Sequence, residues 1–315
     1  MKRRERSAWP EITYAAWEPT CTALTLWLQI VGKARLAQTP WLNHSWHATF
    51  YLTARGLTTS TVPYGSRSFQ ADFDFIDDKL VVSTSDGGRS EVPLVAQSVA
   101  EFHAKFLEAL AERELEIPIH GKPNERPEAI PFAEDLAIRP YDAEAARRFW
   151  RALLQVEHVF LRFRSGFLGK VSPVHLFWGG FDLAVTRFSG RRAPPHPGGV
   201  PHLPNAVAVE AYSHEVSSAG FWPGGNGADD AAFYSYAYPE PEGYRSASVR
   251  PAAAFYDETL REFILPYRAV RSHDDPDGQL LEFLQSTYEA AASTAGYERA
   301  ELECPLGVPG VVRPV

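Results

Sequence analysis

A strict alternation of apolar and polar residues, FQADFDF over residues 69–75, constrains the fold of this chain more than any other feature. A period of two residues is typical of a β-strand with one face on a hydrophobic core and the other toward water. Asp77 and Asp78 follow as a turn, and the apolar stretch from Lys79 to Ser85 predicts the second strand of an antiparallel hairpin. Such a sheet needs helices or another sheet to cover its apolar face.

The first half of the chain supplies helices on both sides of these strands. An apolar-rich run that follows Thr20 and ends at Gln38 predicts a first helix. Residues 45–54 are rich in aromatic and β-branched side chains, which predicts a strand. After the hairpin, Ser98 and Glu101 have the spacing of a capping box and predict the start of a closing helix.

The second half repeats this order of elements. Asp142 predicts the start of a helix that runs to about Phe163, and Asp275 is the expected N-cap of a final helix. Strand patterns lie between them at residues 174–188, 212–221 and 233–238. The sequence therefore predicts an α+β fold, mostly antiparallel sheet with packed helices, in two similar halves of one compact body. Tandem duplication is one hypothesis; chance likeness among short aromatic strands is the other.

The proline distribution divides the chain into segments. Residues 117–141 contain five prolines, a composition typical of an ordered linker rather than a flexible one. We therefore expect an N-terminal α+β half at residues 1–116, the linker at 117–141, a C-terminal α+β half at 142–303 and a tail at 304–315.

Charge and cysteine content favour some partners and disfavour others. A net charge of −8 gives no general attraction to phosphate backbones, so we expect no nucleic-acid partner. No apolar run is long enough to span a bilayer, and the basic start is followed by no signal-like apolar stretch, so we expect no membrane partner. The two cysteines, Cys21 and Cys304, are far apart and fit a reduced cytoplasmic compartment.

Acid–base candidates concentrate between residues 166 and 224. Histidine side chains ordinarily titrate near neutral pH, which makes His214 a candidate, and Glu215 would orient it, although neighbours in a regular strand point to opposite faces. His175 precedes a Gly179-Gly180 pair, which in a strand marks a bulge or a close approach by a backbone or a ligand. Asp182 stands alone in an apolar run and needs a partner.

These candidates form one hypothesis about catalysis. His214 or His175 would exchange protons, with Glu215 or Asp182 as the orienting carboxylate. The structural alternatives are histidines held by ordinary hydrogen bonds and a buried salt bridge from Asp182 to Arg187 or Lys170.

Candidate substrate contacts come from both halves. Arg187 and Arg191 would bind an anion through their guanidinium forks, and Trp178 and Trp222 would form apolar walls.

Two further histidines are candidates for the same ligand. His47 lies three residues after His44, but the strand-like pattern around them gives little support for a metal site. His120 belongs to the polar, turn-prone linker segment HGKPNE, which either reaches a cleft between the halves or is an ordinary loop. We therefore assign no metal ligand.

Familiar enzyme signatures are missing, since the chain has no G-x-S-x-G elbow, no G-x-G-x-x-G fingerprint and no C-x-x-C pair. Its strings NHSWHATFYLTARGLTTS, IHGKPNE, SPVHLFWGGFDLAVTRFSGRRAP and EAYSHEVSSAGFWPG resemble a family of uncharacterised bacterial proteins known only as a domain of unknown function. The resemblance extends from about Trp9 to the final helix, and Gly180 departs from it where Ser is expected. It implies a stand-alone bacterial protein of about this length and no particular activity.

The leading functional hypothesis is a cytosolic enzyme that acts on a small polar or anionic molecule by histidine and carboxylate acid–base chemistry. The first alternative is a non-catalytic small-molecule-binding or sensory protein, and the second is a metal-dependent enzyme. Cofactor and oligomeric state stay open at this point.

Overall fold

Two antiparallel sheets form the framework of the protein. The structure, a computed structural model, describes residues 8–225 and 230–313, and within them each of these sheets has six strands. Helices precede and follow each sheet along the chain. The predicted α+β class is confirmed.

The first half starts with α1 (Tyr14–Gln38), followed by a short 3-10 helix at Asn43–Ala48. Its strands are β1 (Tyr51–Thr53), β2 (Gly56–Thr58), β3 (Val62–Tyr64), β4 (Arg67–Asp74), β5 (Lys79–Thr84) and β6 (Arg89–Pro93). The strand order is β1-β2-β4-β5-β6, and β3 pairs with β4. β7 (Gln97–Ser98) leads into α2 (Val99–Ala111) and pairs with β8 (Ile138–Arg139) in a small separate sheet.

The second half starts with α3 (Ala143–Ser165). Its strands are β9 (His175–Phe177), β10 (Asp182–Arg192), β11 (His214–Trp222), β12 (Ala232–Tyr238), β13 (Phe255–Asp257) and β14 (Glu262–Pro266), in the order β13-β14-β12-β11-β10-β9. The helices that follow are α4 (Asn205–Ala211), between β10 and β11, then α5 (Tyr267–Arg271), α6 (Pro276–Thr294) and α7 (Arg299–Leu302).

The two halves share one hydrophobic core. Buried side chains from both sheets and from α1, α2, α3 and α6 belong to a single contiguous cluster. Phe50 and Leu176 also join the two sheets, because each donates its backbone N–H to the carbonyl of the other at 2.9 Å. The predicted single body is therefore confirmed.

Helix α1 lies in the middle of this body. Between Thr20 and Arg35 every residue except Thr22 is buried, so the helix has no solvent-facing polar stripe. Its polar residues at positions 29 and 33 therefore lie in the interior and need partners there.

Several local predictions are confirmed. Ser98 caps α2 by accepting from the Glu101 N–H at 3.0 Å, and Asp142 and Asp275 cap α3 and α6 through their carboxylates. Helix α3 ends at Ser165, close to the predicted end at about Phe163.

Other local predictions are wrong. The strand expected at residues 45–54 forms only in its second half, where β1 lies; residues 45–48 belong to the 3-10 helix, because His44 and Ser45 both adopt left-handed backbone conformations that no strand accommodates. The long strand expected at residues 174–188 is interrupted at residues 178–181, which turn the chain between β9 and β10. Helix α1 starts earlier than predicted and contains Pro19 in its first turns.

The shared order of elements does not establish a duplication. The first sheet branches at β4, which pairs with β2, β3 and β5, whereas the second is a single unbranched row. None of the helices in the described part of the chain combines the length and apolarity needed to cross a membrane.

Candidate functional site

Asp182 occupies a special position at the first residue of β10. It pairs with Phe177 across the short hairpin, and its side chain is buried. The Tyr234 hydroxyl donates a hydrogen bond to Asp182 Oδ2. Tyr234 lies on β12, and its ring reaches Asp182 by passing over Gly220 on the intervening strand β11, where any Cβ would collide with the ring. Burial raises the pKa of Asp182 to about 6, against the opposing effect of the tyrosine bond.

Glu125 brings a second carboxylate to the same turn. Its Oε1 lies where a Cβ of residue 179 would be, so only glycine fits beneath it. A Cβ at Gly180 would lie 2.8 Å from Asp182 Oδ1 and 3.8 Å from Glu125 Oε2, which places both carboxylates within 4 Å of one point. Burial raises the pKa of Glu125 to about 7, the charge of Asp182 adds to this, and Lys33 opposes it.

A buried polar network holds the loop that carries Glu125. The Gln29 side chain accepts from the Asn124 N–H at 2.7 Å and donates to the Asn124 carbonyl at 3.0 Å. Lys33 Nζ donates to Asn124 Oδ1, and its ammonium lies 5.2 Å from the centre of the Trp178 ring. Burial lowers the pKa of Lys33 to about 8. These contacts fix residue 124 and therefore the direction of its neighbour.

Backbone strain is concentrated at this place. Glu125 and Phe181 both have left-handed backbone angles, with φ of 58° and 57°. Residues other than glycine rarely adopt such angles. Glu125 is anchored by its N–H, which donates to the Pro201 carbonyl at 2.8 Å. Strained residues that surrounding contacts hold in place are common at functional sites.

A cavity opens in front of the Glu125 carboxylate. It encloses about 120 Å³ between the first turns of α1, the turn at residues 179–181, the segment at 222–225 and the pair Glu125-Arg126. Within the described ranges, no side chain or N–H donates a hydrogen bond to the Glu125 carboxylate, so its oxygens remain open to a ligand. Cys21 also lines the cavity, but burial raises its pKa to about 12, so it stays a thiol and is a poor nucleophile.

A further carboxyl group lies on the same face of the second sheet. Glu262 on β14 has a pKa raised to about 8 by burial, with the charges of Asp182 and Asp257 adding to the effect. Its Oε2 is buried and has no hydrogen-bond partner among the residues described. Three acidic side chains on or beside one sheet face therefore have raised pKa values.

Neither of the predicted catalytic histidines lines this cavity. His214 is at the opposite end of β11 from Trp222, and a strand of 9 residues spans roughly 27 Å at about 3.4 Å per residue. Its ring is 6.1 Å from His44, whose Nε2 lies 2.6 Å from Lys170 Nζ. His175 is buried against Phe177, and burial lowers its pKa to about 4.

The two candidate arginines also lie elsewhere. Arg187 projects from the core face of β10, where its guanidinium contacts the rings of Phe163 and Tyr288 and donates to the Phe163 carbonyl. Arg191 binds Glu215 at 2.7 Å and donates to two carbonyls at the end of α6. Glu215 also accepts a hydrogen bond from the Ser189 hydroxyl, so the Arg191–Glu215 ion pair is a structural contact at the surface.

The expected partner of Asp182 is therefore wrong. Arg187 lies an odd number of positions after Asp182 on β10, so its side chain points to the opposite face of the sheet. Lys170 contacts His44 instead of Asp182. The neutral hydroxyl of Tyr234 takes the place of the predicted cation.

Of the other four residues predicted to contact a substrate, only Trp222 lines the cavity. Trp222 lines the cavity and stacks on Tyr234 at 4.4 Å between ring centres. Trp178 is buried and donates to the Ala48 carbonyl at 2.5 Å. His47 packs on Trp41, and His120 is exposed.

Sequence reasoning missed Glu125 and Lys33. Two signals for Glu125 were available and none for Lys33: the linker segment expected to reach a cleft contains Glu125, and the glycine pair expected to permit a close approach lies directly under its carboxylate. Over residues 8–225 and 230–313, no group of three or more histidine, cysteine, aspartate or glutamate side chains is arranged to hold a metal ion.

Comparison with protein families gives a match over most of the chain. The model of DUF5996, a family of unknown function, matches residues 9–304. The chain belongs to DUF5996. No curated protein and no solved structure matches it. For this DUF5996 protein, the geometry of the cavity is thus the main guide to function.

Proposed function

We propose that this DUF5996 protein is an enzyme that acts on a small polar molecule by acid–base chemistry, with Glu125 and Asp182 as a coupled carboxyl pair. One observation carries the proposal: the half-buried Glu125 carboxylate and the buried Asp182 carboxylate meet at the Gly179-Gly180 turn, which lines the cavity. Two close carboxyl groups resist simultaneous ionisation. Near neutral pH one of them is therefore protonated, and the other is ionised and can take up a proton.

The roles follow from access. Glu125 faces the cavity, so it would exchange the proton with the substrate. Asp182 lies behind Gly180 and is oriented by Tyr234, so it would act through its charge on Glu125. This proposal transfers the acid–base role from the histidines to the carboxylates.

Strain and rigidity support a functional reading. The left-handed backbone at Glu125 and the hydrogen bonds of the Asn124 and Glu125 amides hold the backbone of this residue in one place. As part of the proposal we place the protein in a reducing cytoplasm, because Cys21 and Cys304 are both free.

A metabolite-depletion experiment tests the proposal. Purified protein is incubated with a mixture of small polar metabolites, and mass spectrometry follows which compounds disappear. We expect the wild-type protein and His214→Ala to consume a compound that Glu125→Gln and Asp182→Asn leave intact. Consumption that persists in both carboxyl variants but disappears in His214→Ala would contradict the proposal.

The alternative, a non-catalytic binding protein, rests on the same cavity without turnover. It is favoured if a ligand of the cavity is found whose amount stays constant with wild-type protein over long incubation.

A further inference from the structure

The charges around the cavity are unequal. Glu18 and Glu125 contribute carboxylates to its lining, and Arg126 contributes the one cation among the lining residues described. Asp182 adds a third acidic group directly behind Gly180. Lys33 offsets part of this charge from beneath, but it is buried, held by Asn124 and absent from the lining.

The amide group that begins the neighbouring helix is already occupied. The cavity lies beside the first turn of α1, and a helix N-terminus favours negative charge. The Tyr14 N–H at this terminus already donates to Asp230 Oδ1 at 3.3 Å. An anionic ligand would therefore rely on Arg126 and would face Glu18 and Glu125 at the same time.

Aromatic rings form part of the wall. Tyr14, Phe181 and Trp222 line the cavity, and the Trp222 ring is held against Tyr234 by stacking. The faces of such rings attract cations, most strongly when the cation is partly shielded from water. A carboxylate beside aromatic faces therefore favours a bound ammonium group.

We infer that the ligand of this cavity is a small organic cation whose primary ammonium group binds the Glu125 carboxylate. This inference rests on the proposed function, since it assigns a substrate class to the same cavity. The ammonium donates hydrogen bonds to the Glu125 oxygens, which no described donor occupies, and its short carbon chain packs on Trp222. Arg126 at the rim accommodates a polar or acidic group at the far end of the ligand.

Three compounds of nearly equal shape test the inference. Propylammonium, propionate and 1-propanol are titrated into the intact protein by calorimetry at about pH 8, where Glu125 is mostly ionised. We expect propylammonium to bind most tightly of the three. Glu125→Gln should weaken it by about 10-fold or more, because the variant removes a half-buried charge that contacts the ligand.

Matched variants separate local from general effects. Glu108→Gln removes the same charge from the exposed surface of α2 and should leave the affinity unchanged. Glu18→Gln, at the exposed rim, should weaken binding only about 2-fold to 3-fold because water screens its charge. This rim variant also keeps the inference testable if Glu125→Gln fails to fold.

Specific results would overturn the inference. Tighter binding of propionate that Arg126→Gln abolishes would show an anion site, and so would contradict it. Binding of none of the three compounds, or binding of propylammonium that neither glutamate variant weakens, would contradict it as well.

The inference and the proposed function fail separately. Glu125-dependent binding of propylammonium together with no consumption of any metabolite retains the cation site and refutes catalysis. Glu125-dependent consumption of a compound that carries no cationic group retains catalysis and refutes the cation site.

Discussion

Replacing Asp182 with asparagine removes a buried ionisable group while it keeps the shape of the side chain. The asparagine amide oxygen still accepts the hydrogen bond from Tyr234, so packing and polar contacts are largely retained. What changes is the cost of ionisation, because burial raises the pKa of Asp182 from an ordinary value of 3.8 to about 6. A shift of about 2 units corresponds to about 3 kcal/mol of unfolding free energy.

The direction of the effect follows from proton linkage. The folded protein holds the Asp182 proton more tightly than the unfolded chain, so this residue's contribution to stability is fully present below about pH 4. It is lost as the pH rises through about 6, where the folded protein must ionise a buried carboxyl. Asparagine has no such loss. The variant should therefore gain stability relative to the wild type as the pH rises.

Urea unfolding at about pH 4.5 and about pH 8 measures this gain. Between the two, the unfolding free energy of Asp182→Asn minus that of the wild type should rise by about 2 kcal/mol. Removing the charge of Asp182 also lowers the raised pKa of Glu125, which further increases the stability gain of the variant with rising pH. Glu108→Gln, which removes a carboxyl group from the exposed surface of α2, is measured alongside as the control. A difference for Asp182→Asn that does not change between the two pH values would refute the prediction, since Asp182 would then titrate alike in the folded and unfolded chains.

Three further predictions concern neighbouring features. Gly179→Ala should abolish both turnover and propylammonium binding, because the new methyl group displaces the Glu125 carboxylate; an active, cation-binding variant contradicts the geometry. Ser98→Ala should lower the unfolding free energy by about 1 kcal/mol through loss of the helix cap, measured in urea. A disulfide reagent should modify Cys304 before Cys21 in the folded protein, because Cys21 is buried with a raised pKa; equal rates in Cys304→Ser and Cys21→Ser variants would contradict this.

The fold was predictable where its causes are local. The alternation at residues 69–75 and the cap at Ser98 act within a few residues, and both appear as predicted. The 3-10 helix at residues 43–48 was not predictable in this way. Its aromatic composition favours a strand, whereas contacts of His44 with Glu210 and Ala211, far away in the chain, hold the left-handed turn.

The site was predictable only in part, because its chemistry depends on contacts between distant segments. Asp182 stood out as a carboxylate in an apolar run, and the Gly179-Gly180 pair indicated a close approach. Nothing local identified Glu125 as the approaching group. The histidines were chosen for their ordinary pKa near neutrality, but burial removes His175 from that range and the length of β11 separates His214 from the cavity.

The central claim is that Glu125 and Asp182 titrate as a coupled pair, and carbon NMR of their side-chain carboxyl groups tests it most directly. With the side-chain carboxyl carbons of aspartate and glutamate labelled, the account predicts that the signals of Glu125 and Asp182 titrate near pH 6 to 7. Asp182→Asn should remove one signal and move the Glu125 titration toward lower pH, since the neighbouring charge is gone. Carboxyl signals that all titrate near pH 4, or a Glu125 titration that Asp182→Asn leaves in place, would contradict the account.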